Sequence, residues 1–322
     1  VTEEPVSKYC SVSGQSGAAQ IDKSDAEDLN LLKIDALGLR TLSVLQDVLD
    51  QVGWEREKLV NFPLEDEKAF DILNDEKYAG IFQFEGYALQ SLTRQMKISN
   101  FEDIAAITAL ARPGPLNSGG TTEYIKRKVG SEPVSYLHPM TEEITKITNG
   151  VVVYQEQVMT IARDVGKLSW EDVSQLRKAM SKSYGEEYFD TFWVRFKAGA
   201  ESQGIPEDQA LKVWKNINTM GSWAFNRSHA IAYGMVSYWC CVLKSRFPLE
   251  FAAACLRNVK DDDQGVKLLR EVAREGLVYK PYDKYKSKLN WSVQEGELIG
   301  GLIGIRGIGP KLAEDIAKRR EF

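Results

Sequence analysis

The sequence predicts a mainly α protein with small β elements, and three observations carry that expectation. Apolar residues recur at helical spacing in one segment after another, as the buried face of a helix requires. The stretch from Gly221 to Leu256, GSWAFNRSHAIAYGMVSYWCCVLKSRFPLEFAAACL, is apolar almost all round in its second half, which marks a helix inside a large core. Short strand-like runs with turns gather after residue 260, at Asn290–Val293 and Leu298–Leu302.

The length of 322 residues suits two or three domains with sizeable cores. A net charge of −5 argues against nucleic-acid binding over the whole surface, but leaves room for a local basic track. Cys10, Cys240, Cys241 and Cys255 form no C-x-x-C pair, which argues against zinc and a disulfide framework and points to a reducing, cytosolic compartment. No apolar run is long and uninterrupted enough to span a membrane, and the sequence is expected to carry no signal peptide. The start at Val1 and the end at Arg-Arg-Glu-Phe read as a piece of a longer polypeptide.

Residues 1–30 are polar and predict surface loop. The run Leu31–Leu39 reads as a short apolar strand carrying one carboxylate, Asp35, which faces water or needs a cation if buried. Thr41 can cap a helix whose inner side is Leu42, Leu45, Val48, Leu49 and Val52. Leu64, Ala69, Phe70, Ile72 and Leu73 predict an amphipathic helix, and Gly80–Glu85 a packing turn. Asn100, with Asp103 in the box position, caps a helix over Phe101–Ala111. Arg112-Pro113-Gly114-Pro115 makes a stiff turn that fixes Arg112. A fixed arginine suits phosphate or carboxylate recognition, and equally suits bonding to nearby carbonyls. Tyr124–Lys128 is a basic run expected to face solvent.

Val151–Tyr154 is strand-like and leads into a helix at Gln155. Ser169 and Asp172 cap a further helix with Val173, Leu176 and Met180 inside. Lys178 and Lys182 share its outer face, with Arg177 at the border. The aromatic residues from Tyr188 to Trp214 have the spacing of core. Pro248 should stop the apolar helix at Phe247, with a short helix from Leu249 to Leu256 after it.

The polar residues of the central stretch all lie at its start. Asn226 or Ser228 can cap the buried helix, whose first amides are unpaired and whose dipole is positive there. Arg227 and His229 add donors, so the segment reads either as a phosphate site or as a capped core helix with a stray basic residue. Asp261-Asp262-Asp263 reads as a boundary. Gly307-Ile308-Gly309 before a helix start resembles the hairpin of a helix-hairpin-helix. Gly307, Gly309 and Lys311 could then hold a DNA phosphate without reading sequence.

Several motifs, in order along the chain, resemble the family-C bacterial replicative DNA polymerases, the DNA polymerase III alpha subunits. They are KIDALGLRTL, GIFQFE, ARPGP, VVVYQEQVM, LRKAMSK and FNRSHAIAYGMVSY. The resemblance covers nearly the whole chain. It implies the C-terminal part of the palm over 1–52, fingers over 53–259, and a small α+β piece with the helix-hairpin-helix over 260–322, the start of the clamp-binding region. It also implies template-directed addition of deoxynucleotides with Mg2+, primer–template DNA and dNTP as ligands, and the sliding clamp and other replisome subunits as partners. Asp35 would be the third metal-binding carboxylate of the palm. Arg112, Arg177, Lys178, Lys182, Asn226, Arg227, Ser228 and His229 would meet nucleotide or DNA, and the basic segments around 177 and 227 should converge on one triphosphate. The family's first two carboxylates, in a P-D-x-D-x-D motif, do not occur in this sequence, so the chain should bind catalytic metal weakly and should not extend a primer alone. Two rivals share these motifs: a non-catalytic or split DNA-binding module, and an error-prone paralogue used in damage tolerance.

Overall fold

The computed structural model describes residues 2–182 and 186–319. Its longest helix, Arg227–Arg246, is the central one. Ala230, Gly234, Val236, Ser237, Tyr238 and the run from Cys240 to Lys244 are all buried on it, so it is enclosed for most of its length. Phe247 ends it, and Pro248 opens the next helix, Pro248–Arg257, where a proline costs no hydrogen bond. The helices Glu67–Asn74 and Phe101–Leu110 pack on the central helix, and Tyr238 touches both through Phe70 and Phe101. The caps expected at Asn100, Ser169 and Asn226 are present, whereas Thr41, expected to cap, lies inside its helix, which begins one residue earlier at Arg40. Asn100 accepts the Asp103 amide at 3.0 Å, and Ser169 Oγ accepts that of Asp172 at 3.1 Å.

The chain forms two units, Val1–Arg40 and Thr41–Phe322. In the first, a capping box of Asp22 and Asp25 starts the helix Lys23–Asp28. The expected strand at Leu31–Leu39 is not there. The segment forms no ladder, and Leu32, Ile34 and Leu37 are 61%, 65% and 82% exposed. An apolar run becomes a strand only with a partner to pair with, and none lies beside this one among the described residues.

The second unit holds two hydrophobic clusters. The larger surrounds the central helix; the other is built from residues between Val152 and Ala224, including Phe189, Phe192, Phe196 and Trp214. Val151 to Tyr154 is extended rather than a strand. Its alternation sends Val151 and Val153 to the first cluster and Val152 to the second. It makes one parallel bridge, Tyr154 with Phe225.

Other local differences have simple causes. Leu64 lies before its helix and is 41% exposed, because Asp66 is the cap. Leu42 is exposed too, since the helix Arg40–Val52 buries Val44 in its place. Arg112 is itself the cap of a short helix, Pro113–Asn117. The basic run at 124–128 is not simply solvated: Lys128 pairs with buried Asp103 at 2.8 Å, and Arg127 donates to Ser135 O and Asn149 O.

The three aspartates at 261–263 cap and begin a helix, Asp262–Arg274. Its Leu268 and Val272 join the core of the central helix. After it come β1 (Tyr279–Lys280), β2 (Ser292–Gln294) and β3 (Glu297–Ile299) in spatial order β1-β3-β2. The pair β1/β3 is parallel and β2/β3 antiparallel.

Candidate functional site

Three helix starts meet at residue 227. Asn226 caps the central helix, with its Oδ1 accepting the His229 amide at 2.8 Å and the Ser228 hydroxyl at 2.6 Å. The second start is that of the helix Gln155–Asp164. Gln157 there accepts the Val153 and Tyr154 amides at 2.8 and 3.0 Å, tying down its own helix, while neighbouring Glu156 reaches across to the central one. Glu156 Oε2 accepts the Arg227 amide at 2.9 Å, and its Oε1 accepts Asn226 Nδ2 at 3.0 Å. The third is that of the helix Phe101–Leu110, whose Glu102 accepts Arg227 Nη2 at 3.0 Å. A helix start favours an anion, and here the protein's own carboxylates take that position.

Beneath this polar end, Arg112 Nε donates to Ala109 O and its Nη2 to Trp223 O, both at 2.9 Å, while its guanidinium lies 4.3 Å from the Phe225 ring. Burial lowers the pKa of this arginine from its ordinary value. Gly114 is required next to it, since a Cβ there would come within 2.6 Å of Trp223 Cβ. The His229 ring is exposed and packs at 4.1 Å on Tyr233 and 5.4 Å on Phe225, between ring centroids. Tyr154, fully buried close by, has its phenol pushed up by burial and then by the Glu102 charge, against the pull of Arg227.

The structure thus gathers Asn226, Arg227, Ser228 and His229, with Arg112 behind Phe225. Arg177 and Lys178 are exposed on the helix Trp170–Lys182, which belongs to the second cluster. The Lys182 side chain lies outside the described residues. Asp35 is 65% exposed in its side chain and pairs with Lys33 at 2.9 Å. Among the described residues no three of His, Cys, Asp and Glu gather to hold a metal ion. Gly307 has φ +89°, which glycine adopts freely, and Gly309 caps the helix Pro310–Lys318 with Lys311 exposed in its first turn. The element before this hairpin is a three-residue 3-10 turn, Leu302–Gly304, in the place of a first α-helix.

Sequence reasoning missed Glu102 and Glu156. Each sits in the first turn of a helix, where a carboxylate is already accounted for by its own helix dipole.

Residues 41–204 match the model of the bacterial DNA polymerase III alpha subunit finger domain. The chain belongs to that family. It is 37% identical over 308 residues to DNA polymerase III subunit alpha of Aquifex aeolicus, an alignment that covers 94% of this chain and 26% of the relative. It is 35% identical over 326 residues to the Escherichia coli K12 subunit, covering 97% and 28%, and 36% identical over 326 residues to that of Haemophilus influenzae, with the same coverage. The chain therefore spans about a quarter of the length of these curated alpha subunits. The matched finger region holds Arg112, Arg177, Lys178, Glu102 and Glu156, while the Asn226–His229 segment follows it.

Proposed function

We propose that this chain forms the fingers of a replicative DNA polymerase and contacts incoming dNTP and primer–template DNA during nucleotidyl transfer. The observation that carries the reading is the set of donors at the start of the central helix. The Arg227 amide and guanidinium and Asn226 Nδ2 now hold carboxylate oxygens, and the same donors suit phosphate oxygens. In this reading Asn226 keeps the helix start in place, Arg227 neutralises triphosphate charge as it shifts toward the leaving group, and His229 contacts the nucleotide. Arg177, Lys178 and Lys182 serve the triphosphate or the DNA backbone. The hairpin at Gly307, Gly309 and Lys311 holds duplex backbone.

The proposed division follows the resemblance, with residues 1–52 ending the palm, 53–259 as fingers and 260–322 beginning the clamp-binding region, while the matched finger model begins earlier, at residue 41. A sliding clamp, other replisome subunits and a cytoplasmic location belong to the same reading. Among the described residues no helix is long and apolar enough to cross a membrane. Magnesium would be the metal, with Asp35 as one ligand. The residues present do not fit a two-ion site by themselves, because Asp35 is a lone carboxylate already paired with Lys33.

Arg227→Ala tests the reading. A charge-assisted bond to phosphate is worth roughly 1.5–3 kcal/mol, so dNTP affinity should fall about ten- to hundredfold. Primer–template affinity, read by fluorescence anisotropy, should change far less. Unchanged dNTP affinity together with a lower melting temperature would mean that Arg227 only braces the helix, and would overturn the assignment.

A further inference from the structure

We propose that the segment from Val278 to Lys288, with the groove that follows it, binds a single-stranded polynucleotide, with a base stacked on Tyr285 and phosphates on Lys284 and Lys288. The segment reads VYKPYDKYKSK and lies outside the residues that the fingers reading uses. Tyr285 is 81% exposed, and Tyr282 44%. Aromatic rings interleaved with lysines are what unpaired bases and their backbone require.

The rings stand on a rigid support. Asp283 Oδ1 accepts the amides of Tyr285 and Lys286, both at 2.9 Å. Ser287 Oγ accepts the Asp283 amide at 2.9 Å and donates to Gly300 O at 2.8 Å, which pins the loop to the end of β3. A loop ordered in advance loses little entropy when a strand binds.

The charges are sorted as well. Glu297 takes Lys280 at 2.8 Å and Lys286 at 3.2 Å, and Glu295 takes Lys286 at 2.6 Å. Among the described residues no carboxylate lies within ion-pair distance of Lys284 or Lys288, and Lys284 Nζ sits 5.3 Å from the centre of the Tyr285 ring. Lys288 lines a groove of about 420 Å³ together with Asn290, Trp291 and Ser292, with Arg257 and Glu250 on its wall. Paired bases cannot stack on a side chain in this way, so duplex is the weaker ligand.

The test uses the whole 322-residue chain at low salt with fluorescein-labelled dT20 and rU20. Tyr285→Ala should weaken binding roughly five- to hundredfold, the range of one lost base stack, and Tyr285→Trp should keep it. Lys284→Gln and Lys288→Gln should each flatten the slope of log affinity against log salt by about 0.7. A loss on either oligonucleotide supports the site and identifies its sugar. Binding within twofold of wild type for Tyr285→Ala on both overturns it. If Lys311→Glu abolishes binding in that case, the hairpin alone holds DNA. A change in sedimentation without a change in oligonucleotide affinity also overturns it, and makes this face a protein contact.

Discussion

The two ends of the central helix hold their charges in opposite ways. Near the C-terminal end, Lys244 and Glu275 meet at 2.6 Å with side chains 6% and 8% exposed. Lys244 also donates to Lys77 O and Ala79 O, and Glu275 accepts the Ala79 amide at 2.8 Å. At the other end Arg227 and Glu102 meet at 3.0 Å with side chains 35% and 38% exposed. Breaking the first pair leaves a charge stranded in the core. Breaking the second lets water or an incoming anion take over. One end is therefore a lock and the other an exchangeable contact, although both are ion pairs on one helix.

The largest expected effect breaks the lock. Lys244→Ala should cost about 3–5 kcal/mol in denaturant unfolding, because Glu275 stays buried without its partner. Joining Lys244→Met to Glu275→Leu should restore most of that, and equal losses in single and double variants would refute the account. Next comes Asp66, which pairs with Arg246 at 2.5 Å at the same end. Burial alone would raise its pKa, but the Arg246 hydrogen bond and charge and the Ala69 amide outweigh it and leave it lowered. Its contribution is therefore complete above the ordinary value of 3.8 and fades as pH falls through the lower folded value. Asp66→Asn should cost roughly 1.5–3 kcal/mol at neutral pH and flatten the acid limb of a melting-temperature profile. An unaltered limb would show that the pair is not charged in the fold.

At the exchangeable end, Asn226→Ala should cost only about 1 kcal/mol, the value of a lost cap. A loss above about 3 kcal/mol would mean that this end is locked as firmly as the other. The smallest effect belongs to Asp35 and Lys33, which are 65% and 59% exposed. Asp35→Asn should leave stability within about 0.5 kcal/mol, and a larger change in thermal unfolding would show that its carboxylate carries structure.

This contrast also explains what could be read from the sequence. Caps and buried faces are local, so Asn100 with Asp103, Ser169, Asn226 and the stop at Pro248 were all legible. The partners of the helix start were not: Glu102 and Glu156 lie 125 and 71 residues away from Arg227. Nothing local distinguishes them from other first-turn carboxylates. The run Leu31–Leu39 failed for the converse reason. Its composition suits a strand, but a strand also needs a neighbour, and composition does not supply one.

The bridge at Tyr154 has a consequence of another kind. The Gln155 amide donates to Phe225 O at 2.8 Å, and the Phe225 amide to Val153 O at 3.0 Å. The excursion that builds the second cluster thus leaves and returns at one point, like an insert spliced into a closed frame. Tethering such an insert costs entropy that grows only with the logarithm of its length, about 0.6 kcal/mol per doubling. Its interior can be lengthened or trimmed over generations at little cost, while the stapled ends hold Glu156 and Arg227 in register.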